Sequence, residues 1–204
     1  KYREDEDMGK AKLLELFEGY ENIEVRKEAL KALSRATEHA AVRDGLIELV
    51  NTSQILYMRI LAPKALYRAA GDAKVKPLLI QQALHERQLQ ERSAAIWALF
   101  LLAKDDVQAR EALISIAAND PYEMTRIEAI KSLYLSMGDA AVRALVLRLA
   151  EKERLLYVRH AAILALSNAV DDKAVNAITG IRNFCPYDSK IGNASACDPH
   201  LRSI

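Results

Sequence analysis

Apolar and polar positions follow the period of an α-helix along this chain, and the whole arrangement recurs about every 33 residues. The copies align on an arginine, with Ala three residues after it and Leu seven residues after it. These positions lie near one face of a helix, so each copy is predicted to begin with an amphipathic helix, here called helix A. The aligned arginines, the arginine column, are Arg26, Arg59, Arg92, Arg126 and Arg159.

A second helix, helix B, is predicted in each copy after a short turn. Aspartate recurs 13 residues after the aligned arginine in four copies, directly before a new apolar pattern. An Asp at this place can accept hydrogen bonds from the first N–H groups of a helix and suits its positive end, so it is predicted to be the N-cap. The predicted caps are Asp72, Asp105, Asp139 and Asp172, and His39 holds the position in the first copy.

The periodicity places helix A at about 22–36, 54–69, 88–103, 122–136 and 155–168, and helix B at about 40–50, 73–86, 106–118, 139–152 and 171–183. Helices with one apolar side bury it by stacking on neighbouring copies, which predicts an all-α solenoid, a right-handed α-α superhelix.

The predicted organisation has three parts. Residues 1–21 form an N-terminal capping helix or the remnant of a preceding repeat, residues 22–183 form five repeats, and residues 184–204 form an irregular C-terminal cap. The repeats are expected at about 22–53, 54–87, 88–121, 122–154 and 155–183.

The repeat pattern resembles the bacterial HEAT repeats, including the HEAT-like units of phycobilin lyases. Val25-Arg26, Val158-Arg159 and Gly138-Asp139 carry the resemblance, which covers roughly residues 9–183. It implies a HEAT/armadillo-like solenoid and a non-enzymatic scaffold or adaptor that binds another protein or peptide on its concave face, lined by helix B, the second helix of each repeat. An enzyme or enzyme accessory of the bilin lyase type and a nucleic-acid-binding HEAT-like protein are the alternatives.

Two rows of cations follow from the alignment. The arginine column is interpreted as structural, as a hydrogen-bond ladder between adjacent repeats, and an anion-binding ladder is the alternative. A second row, the basic row, lies in the first turn of helix B, where cations oppose the helix dipole. It is a candidate site for an acidic partner; the alternative is that it pairs with neighbouring carboxylates, including the caps. The basic row is Arg43, Lys76, Arg110 and Arg143.

Signals of catalysis and of nucleic-acid binding are weak. Only His85-Glu86 has the His-Glu form that a HEAT-like di-iron hydroxylase would supply several times, so no enzymatic activity, metal or cofactor is predicted. Trp97 stands close to core positions and is interpreted as a shoulder of the core. The formal net charge is +1, too balanced for a surface that neutralises several phosphates. No apolar run approaches the roughly 18 to 20 residues of a membrane span.

Both cysteines, Cys185 and Cys197, lie in the C-terminal segment, which has no helical period. A disulfide that closes the C-terminal cap is the favoured interpretation. Two free thiols, or a metal site with His200 and an Asp, are the alternatives. A disulfide would indicate an oxidising compartment, such as the bacterial periplasm, the cell surface or the secreted state, and without it a cytoplasmic protein is predicted.

Overall fold

The computed structural model describes residues 22–86 and 88–168, and it contains nine α-helices and no strand in these ranges. The chain is therefore all-α, as predicted. The helices are α1 (Ile23–Arg35), α2 (Ala40–Thr52), α3 (Leu56–Ala65), α4 (Val75–His85), α5 (Leu89–Ala98), α6 (Val107–Asn119), α7 (Glu123–Ser132), α8 (Ala140–Lys152) and α9 (Leu156–Asn168).

Each described helix begins within two residues of its predicted start. Helices α1, α3, α5, α7 and α9 are the predicted A helices, and α2, α4, α6 and α8 are the predicted B helices. Three A helices end earlier than predicted, because their final turn is a 3₁₀ helix, a tighter winding that is common at helix termini. These 3₁₀ helices are Leu66–Ala69, Leu102–Lys104 and Tyr134–Ser136.

The helical hairpins run from each B helix to the A helix that follows it. The closely packed antiparallel pairs are α2 with α3, α4 with α5, α6 with α7 and α8 with α9. The boundaries predicted from the sequence, which put each A helix with the following B helix, therefore cut through these hairpins. Successive A helices also pack directly on one another, whereas successive B helices contact each other only sparsely.

Small and large apolar side chains have different roles in the core. The aligned alanines of the A helices, such as Ala62 and Ala95, are fully buried and allow neighbouring helices to approach closely. The aligned leucines, such as Leu66 and Leu99, fill the space beside them. The B helices add apolar residues four positions apart, as in Val142 and Val146, so each helix buries one stripe.

Candidate functional site

The arginine column forms buried ion pairs at the corners where a B helix ends and an A helix begins. Arg92 Nε donates to the carbonyl of Ala83 at 3.4 Å, in the last turn of the preceding B helix, and Nη2 pairs with Asp120, one repeat further on. The side chains of Arg92 and Asp120 are only 8% and 3% exposed. The burial of Arg92 lowers its pKa. Arg126 pairs with Glu153 in the equivalent position. Arg59 instead pairs with Glu91, in the first turn of α5, and its own side chain is 26% exposed.

The two end members of the column lie at the limits of the described chain. Arg26 is half-buried in α1, and Arg159 in α9 donates from Nη1 to the carbonyl of Glu153 at 3.4 Å. The ion pairs of the three middle arginines support the structural interpretation of the column.

The residue six positions before four of the column arginines caps the start of the A helix. Its side chain accepts a hydrogen bond from the backbone N–H two residues later, which is the residue at the helix N-cap. The acceptor–donor pairs are Ser53 and Ile55 at 3.2 Å, Glu86 and Gln88 at 3.2 Å, Asp120 and Tyr122 at 2.9 Å, and Glu153 and Leu155 at 3.1 Å. The sequence pattern carries this signal as a polar residue at one fixed position, and it was missed.

Three members of the basic row form ion pairs with aspartates at the start of the next B helix. Lys76 Nζ lies 2.8 Å from Asp106 Oδ2, and Arg110 Nε lies 3.2 Å from Asp139 Oδ2. Arg43 pairs with Asp72 in the same way, at 3.2 Å. This geometry supports the alternative interpretation, in which capping carboxylates take up the charges.

The arginines of the basic row also bind the turn that precedes their own helix. Arg43 and Arg143 donate from Nη1 to the carbonyls of Glu38 and Gly138, each at 2.8 Å, and Arg110 donates to that of Ala103 at 2.9 Å. Each bond gives a carbonyl of the turn a charged hydrogen-bond donor. These bonds account for cations in a first turn, where the helix dipole alone disfavours them.

Of the predicted helix caps in the described residues, Asp139 is at the N-cap, and two others need correction. The N-cap of α4 is Lys74, and Asp72 stands two residues before it. His39 occupies the N-cap of α2 but makes no capping hydrogen bond through its side chain. Asp139 Oδ1 accepts from Ala141 N at 2.8 Å. Asp72 likewise accepts from Lys74 N at 2.9 Å. The cap of α6 is Asp106 rather than Asp105, because the extra residue of the third repeat lies in the turn before Asp106.

The pKa values of three capping aspartates are lowered in the folded protein. For Asp139 and Asp72 the main favourable cause is hydrogen bonding from backbone N–H groups of their own helices, with desolvation acting in the opposite direction. For Asp106 the hydrogen bond from Lys76 comes first, followed by that from Ala109 N–H. The ordered donors therefore favour the ionised carboxylate in each case.

The interpretation that placed Trp97 at the shoulder of the core was wrong, because 44% of the surface of Trp97 is exposed. It stands two residues from both Ala95 and Leu99, which are fully buried, and a step of two residues turns about 200° around a helix. Trp97 therefore points away from the core. Its ring centroid lies 5.4 Å from that of Tyr67 in the preceding repeat, with the planes inclined by 57°.

Trp97 belongs to a surface that spans three repeats, here called the aromatic strip. Trp97 contacts Tyr67, and the 3₁₀ helix that contains Tyr67 packs against α5. The 3₁₀ helix Leu102–Lys104, which follows Leu101, packs against the one that contains Tyr134. The aromatic strip consists of the exposed residues Trp97, Leu101, Tyr134 and Leu135 and the partly buried Tyr67. A sequence signal for part of the strip was available and missed, because the position eight residues after the column arginine holds Tyr67 and Tyr134. The same position in the middle copy holds Phe100, which is not a member of the strip, and no repeat position marks Trp97.

Exposed apolar side chains are distributed unequally between the two layers of helices. Among the described residues, Val107 is the one large exposed hydrophobic residue of a B helix. The others lie on A helices or on the turns that adjoin them: Ile55, Leu56, Trp97, Leu101, Tyr122, Met124, Tyr134, Leu135, Leu155, Leu156 and Tyr157. The exposed surface of the B helices is accordingly polar.

A cavity of about 310 Å³ lies beside Tyr67, at the turns that join A to B helices in the first two repeats. Arg35, Arg43 and Arg68 line it, together with the carboxylates of Glu38 and Asp72. Three guanidinium groups therefore face two carboxylates. This cationic cavity was not apparent from the sequence, because its arginines come from three separate helical elements.

The remaining candidate residues form no site within the described chain. His85 is exposed at the end of α4, and residues 22–86 and 88–168 contain no group of three or more His, Cys, Asp or Glu side chains placed to hold a metal. The predicted cap Asp172, the proposed disulfide of Cys185 and Cys197, and the metal alternative with His200 lie outside the described residues.

The family model for HEAT repeats matches residues 11–100 and 104–187. The second match begins three residues before α6, a B helix, in agreement with hairpins that start there. No protein of curated function matches the chain. None of the helices in the described ranges combines the length and the apolar character that crossing a membrane requires.

Proposed function

Because the chain belongs to the HEAT-repeat family, whose repeats typically mediate protein interactions, we propose that it is a non-enzymatic scaffold that binds a partner protein or peptide on its concave face. The resemblance assigns that face to the second helix of each repeat. Since the hairpins run from B to A helices, the second helices are α3, α5, α7 and α9. Close packing among the A helices supports the assignment, because the inner layer of a curved stack has the smaller spacing.

The aromatic strip is the observation that carries this proposal. A folded protein gains stability by removing large apolar side chains from water, at roughly 25 cal/mol per Å². Trp97 and Leu101 remain exposed in the middle of the array, although Ser or Lys would serve equally well for the fold. Exposed aromatic residues that are grouped together mark interaction sites, and Trp and Tyr are enriched among the residues that dominate binding energy.

The basic row is a weaker candidate for the binding surface. Lys76, Arg110 and Arg43 are paired with capping carboxylates, so a partner would have to displace intramolecular contacts to reach them. The polar B-helix surface around them also lacks the apolar anchors that stable interfaces use. We therefore place the partner on the A helices.

Site-specific photocrosslinking in cells tests the proposal. We expect a benzoylphenylalanine at Leu101 to give a discrete crosslinked product, and the same group at Arg148, an exposed position of α8, to give none. Trp97→Ala should remove the Leu101 product while the thermal unfolding of the protein stays close to that of the parent. Equal products from Leu101 and Arg148, or a product from Arg148 alone, would contradict binding on the A helices.

A further inference from the structure

The aromatic strip and the cationic cavity are two parts of one surface. Arg68 and Ala69 line the cavity and follow directly after Tyr67, the first member of the strip. Arg68 also binds that ring, since its Nε donates to the Tyr67 hydroxyl at 2.8 Å and its guanidinium carbon lies 5.6 Å from the ring centroid. An apolar surface thus continues into a cavity lined by arginine side chains.

The charges in the cavity are unequally satisfied. Arg43 is neutralised by Asp72, as described above. Among the described residues, Arg35 has no hydrogen-bond or ion-pair partner, and the terminal nitrogens of Arg68 have none either. Asp72 accepts from Lys74 N through Oδ1 and pairs with Arg43 through Oδ2, so both of its carboxylate oxygens are already engaged. Two guanidinium groups are therefore available to an external anion.

We propose that the partner on the concave face presents an acidic segment next to its apolar anchors. The aromatic strip would bind the apolar side chains, and the cavity would bind Asp or Glu carboxylates through Arg35 and Arg68. Guanidinium groups suit carboxylates because they offer a planar pair of donors. This inference rests on the proposed function and specifies the chemistry of the partner.

Nucleic acid is the competing class of ligand, since single strands also combine anions with groups that stack on aromatic rings. Two members of the strip, Leu101 and Leu135, are aliphatic and offer no ring on which a base could stack. The tilted contact between Tyr67 and Trp97 also leaves no pair of parallel rings. These features favour an apolar peptide over a single strand.

Fluorescence of Trp97 provides a direct test, because it is the one tryptophan of the chain. The probe is a short synthetic peptide of acidic residues followed by Leu and Phe, acetylated and amidated so that every carboxylate belongs to a side chain. We expect a saturable change in emission, and Leu101→Ala should weaken it. Arg35→Glu should weaken binding about tenfold at low salt, whereas Arg148→Glu, the same charge change on α8, should leave it unchanged.

Comparison of the acidic peptide with two control ligands tests whether the carboxylates are recognised. A peptide with Gln in place of each acidic residue should bind about as weakly as the acidic peptide binds to the Arg35→Glu variant. The inference is overturned if the acidic peptide gives no response, or if the two peptides bind equally well. It is also overturned if oligothymidylate changes the Trp97 signal and the peptide does not. The proposed function fails separately, when crosslinking at Leu101 gives no more product than at Arg148.

Discussion

The two rows of cations perform similar tasks in very different surroundings. Both connect successive repeats by a cation and a carboxylate at a helix terminus. Arg92 and Asp120 of the arginine column are nearly inaccessible to water, whereas Arg110 and Asp139 of the basic row are 15% and 31% exposed. When a buried ion pair loses one partner, the remaining charge is not solvated by water. In a partly exposed pair, water can solvate the remaining charge.

This difference separates two kinds of stabilisation in one solenoid. The corners where B helices lead into A helices depend on complete ion pairs, so substitutions there should be costly. The corners where A helices lead into B helices depend mainly on capped turns, and water can replace part of each contact. The comparison therefore predicts a graded series of destabilisations.

Arg92→Met should have the largest effect, because it leaves the Asp120 carboxylate buried and unpaired. We expect a loss of about 3 to 5 kcal/mol in the free energy of unfolding, measured by chemical denaturation. Adding Asp120→Asn should restore much of the loss, since Asn keeps an acceptor for Tyr122 N–H without the charge. A double variant no more stable than Arg92→Met would show that the buried charge is not the cause.

Arg110→Ala should have an intermediate effect of about 1 to 2 kcal/mol, through the loss of a charged hydrogen bond to Asp139 and of those to the preceding turn. Denaturation midpoints measured beside those of Arg92→Met give the comparison. A loss as large as that of Arg92→Met would mean that the two rows do not differ in the way their burial indicates.

Acid should weaken the basic row through its carboxylates. The pKa values of Asp72, Asp106 and Asp139 are lower in the folded than in the unfolded protein, so the unfolded chain binds protons first as the pH falls. Their stabilising contribution is present above the ordinary Asp pKa of about 4 and is lost as the pH falls through the folded values.

Asp139→Asn isolates one of these contributions. Asn is about as good an N-cap as Asp, so the variant should lose only about 0.5 kcal/mol at neutral pH, from the weakened contact with Arg110. Its stability should fall less steeply than that of the parent below pH 4. Parallel stability curves for the two proteins across the acid range would exclude Asp139 as a source of the pH dependence.

Lys131→Ala should have the smallest effect. Lys131 and Glu128 form an exposed pair three residues apart on α7, and such pairs contribute about 0.3 kcal/mol. Thermal unfolding should therefore be nearly unchanged, which makes this variant the baseline of the series. A loss above 1 kcal/mol would show that exposure does not rank these ion pairs.

The helices and the fold class were predictable because packing imposes the pattern. Each A helix needs Ala and Leu at fixed positions to stack on its neighbours, and that requirement appears as the repeat. The hairpin partners were not predictable, since the connections predicted on both sides of each helix were at most about three residues long. The period shows that two helices alternate, but it does not show which of the two turns joins the closely packed pair.

The candidate site was less predictable from the sequence, because it depends on the directions in which side chains point and on the insertion of a single residue. One inserted residue moved the cap of α6 from Asp105 to Asp106. Trp97 stands two residues from core positions, and its exposure follows only from the rotation of the helix. The cationic cavity joins side chains from separate repeats, a relation that no local pattern contains.

In four A helices, the side chain that caps the helix start does not come from the residue at the N-cap. It comes from the residue two positions earlier. Ser53, Glu86, Asp120 and Glu153 supply the acceptor, so the N-cap positions themselves hold Ile, Gln, Tyr and Leu. Evolution can therefore vary these exposed positions while the helices keep their starting points. Each repeat places one such variable position at the same edge of the solenoid. Substitutions at these positions can therefore change the binding specificity of the solenoid without a change in its backbone.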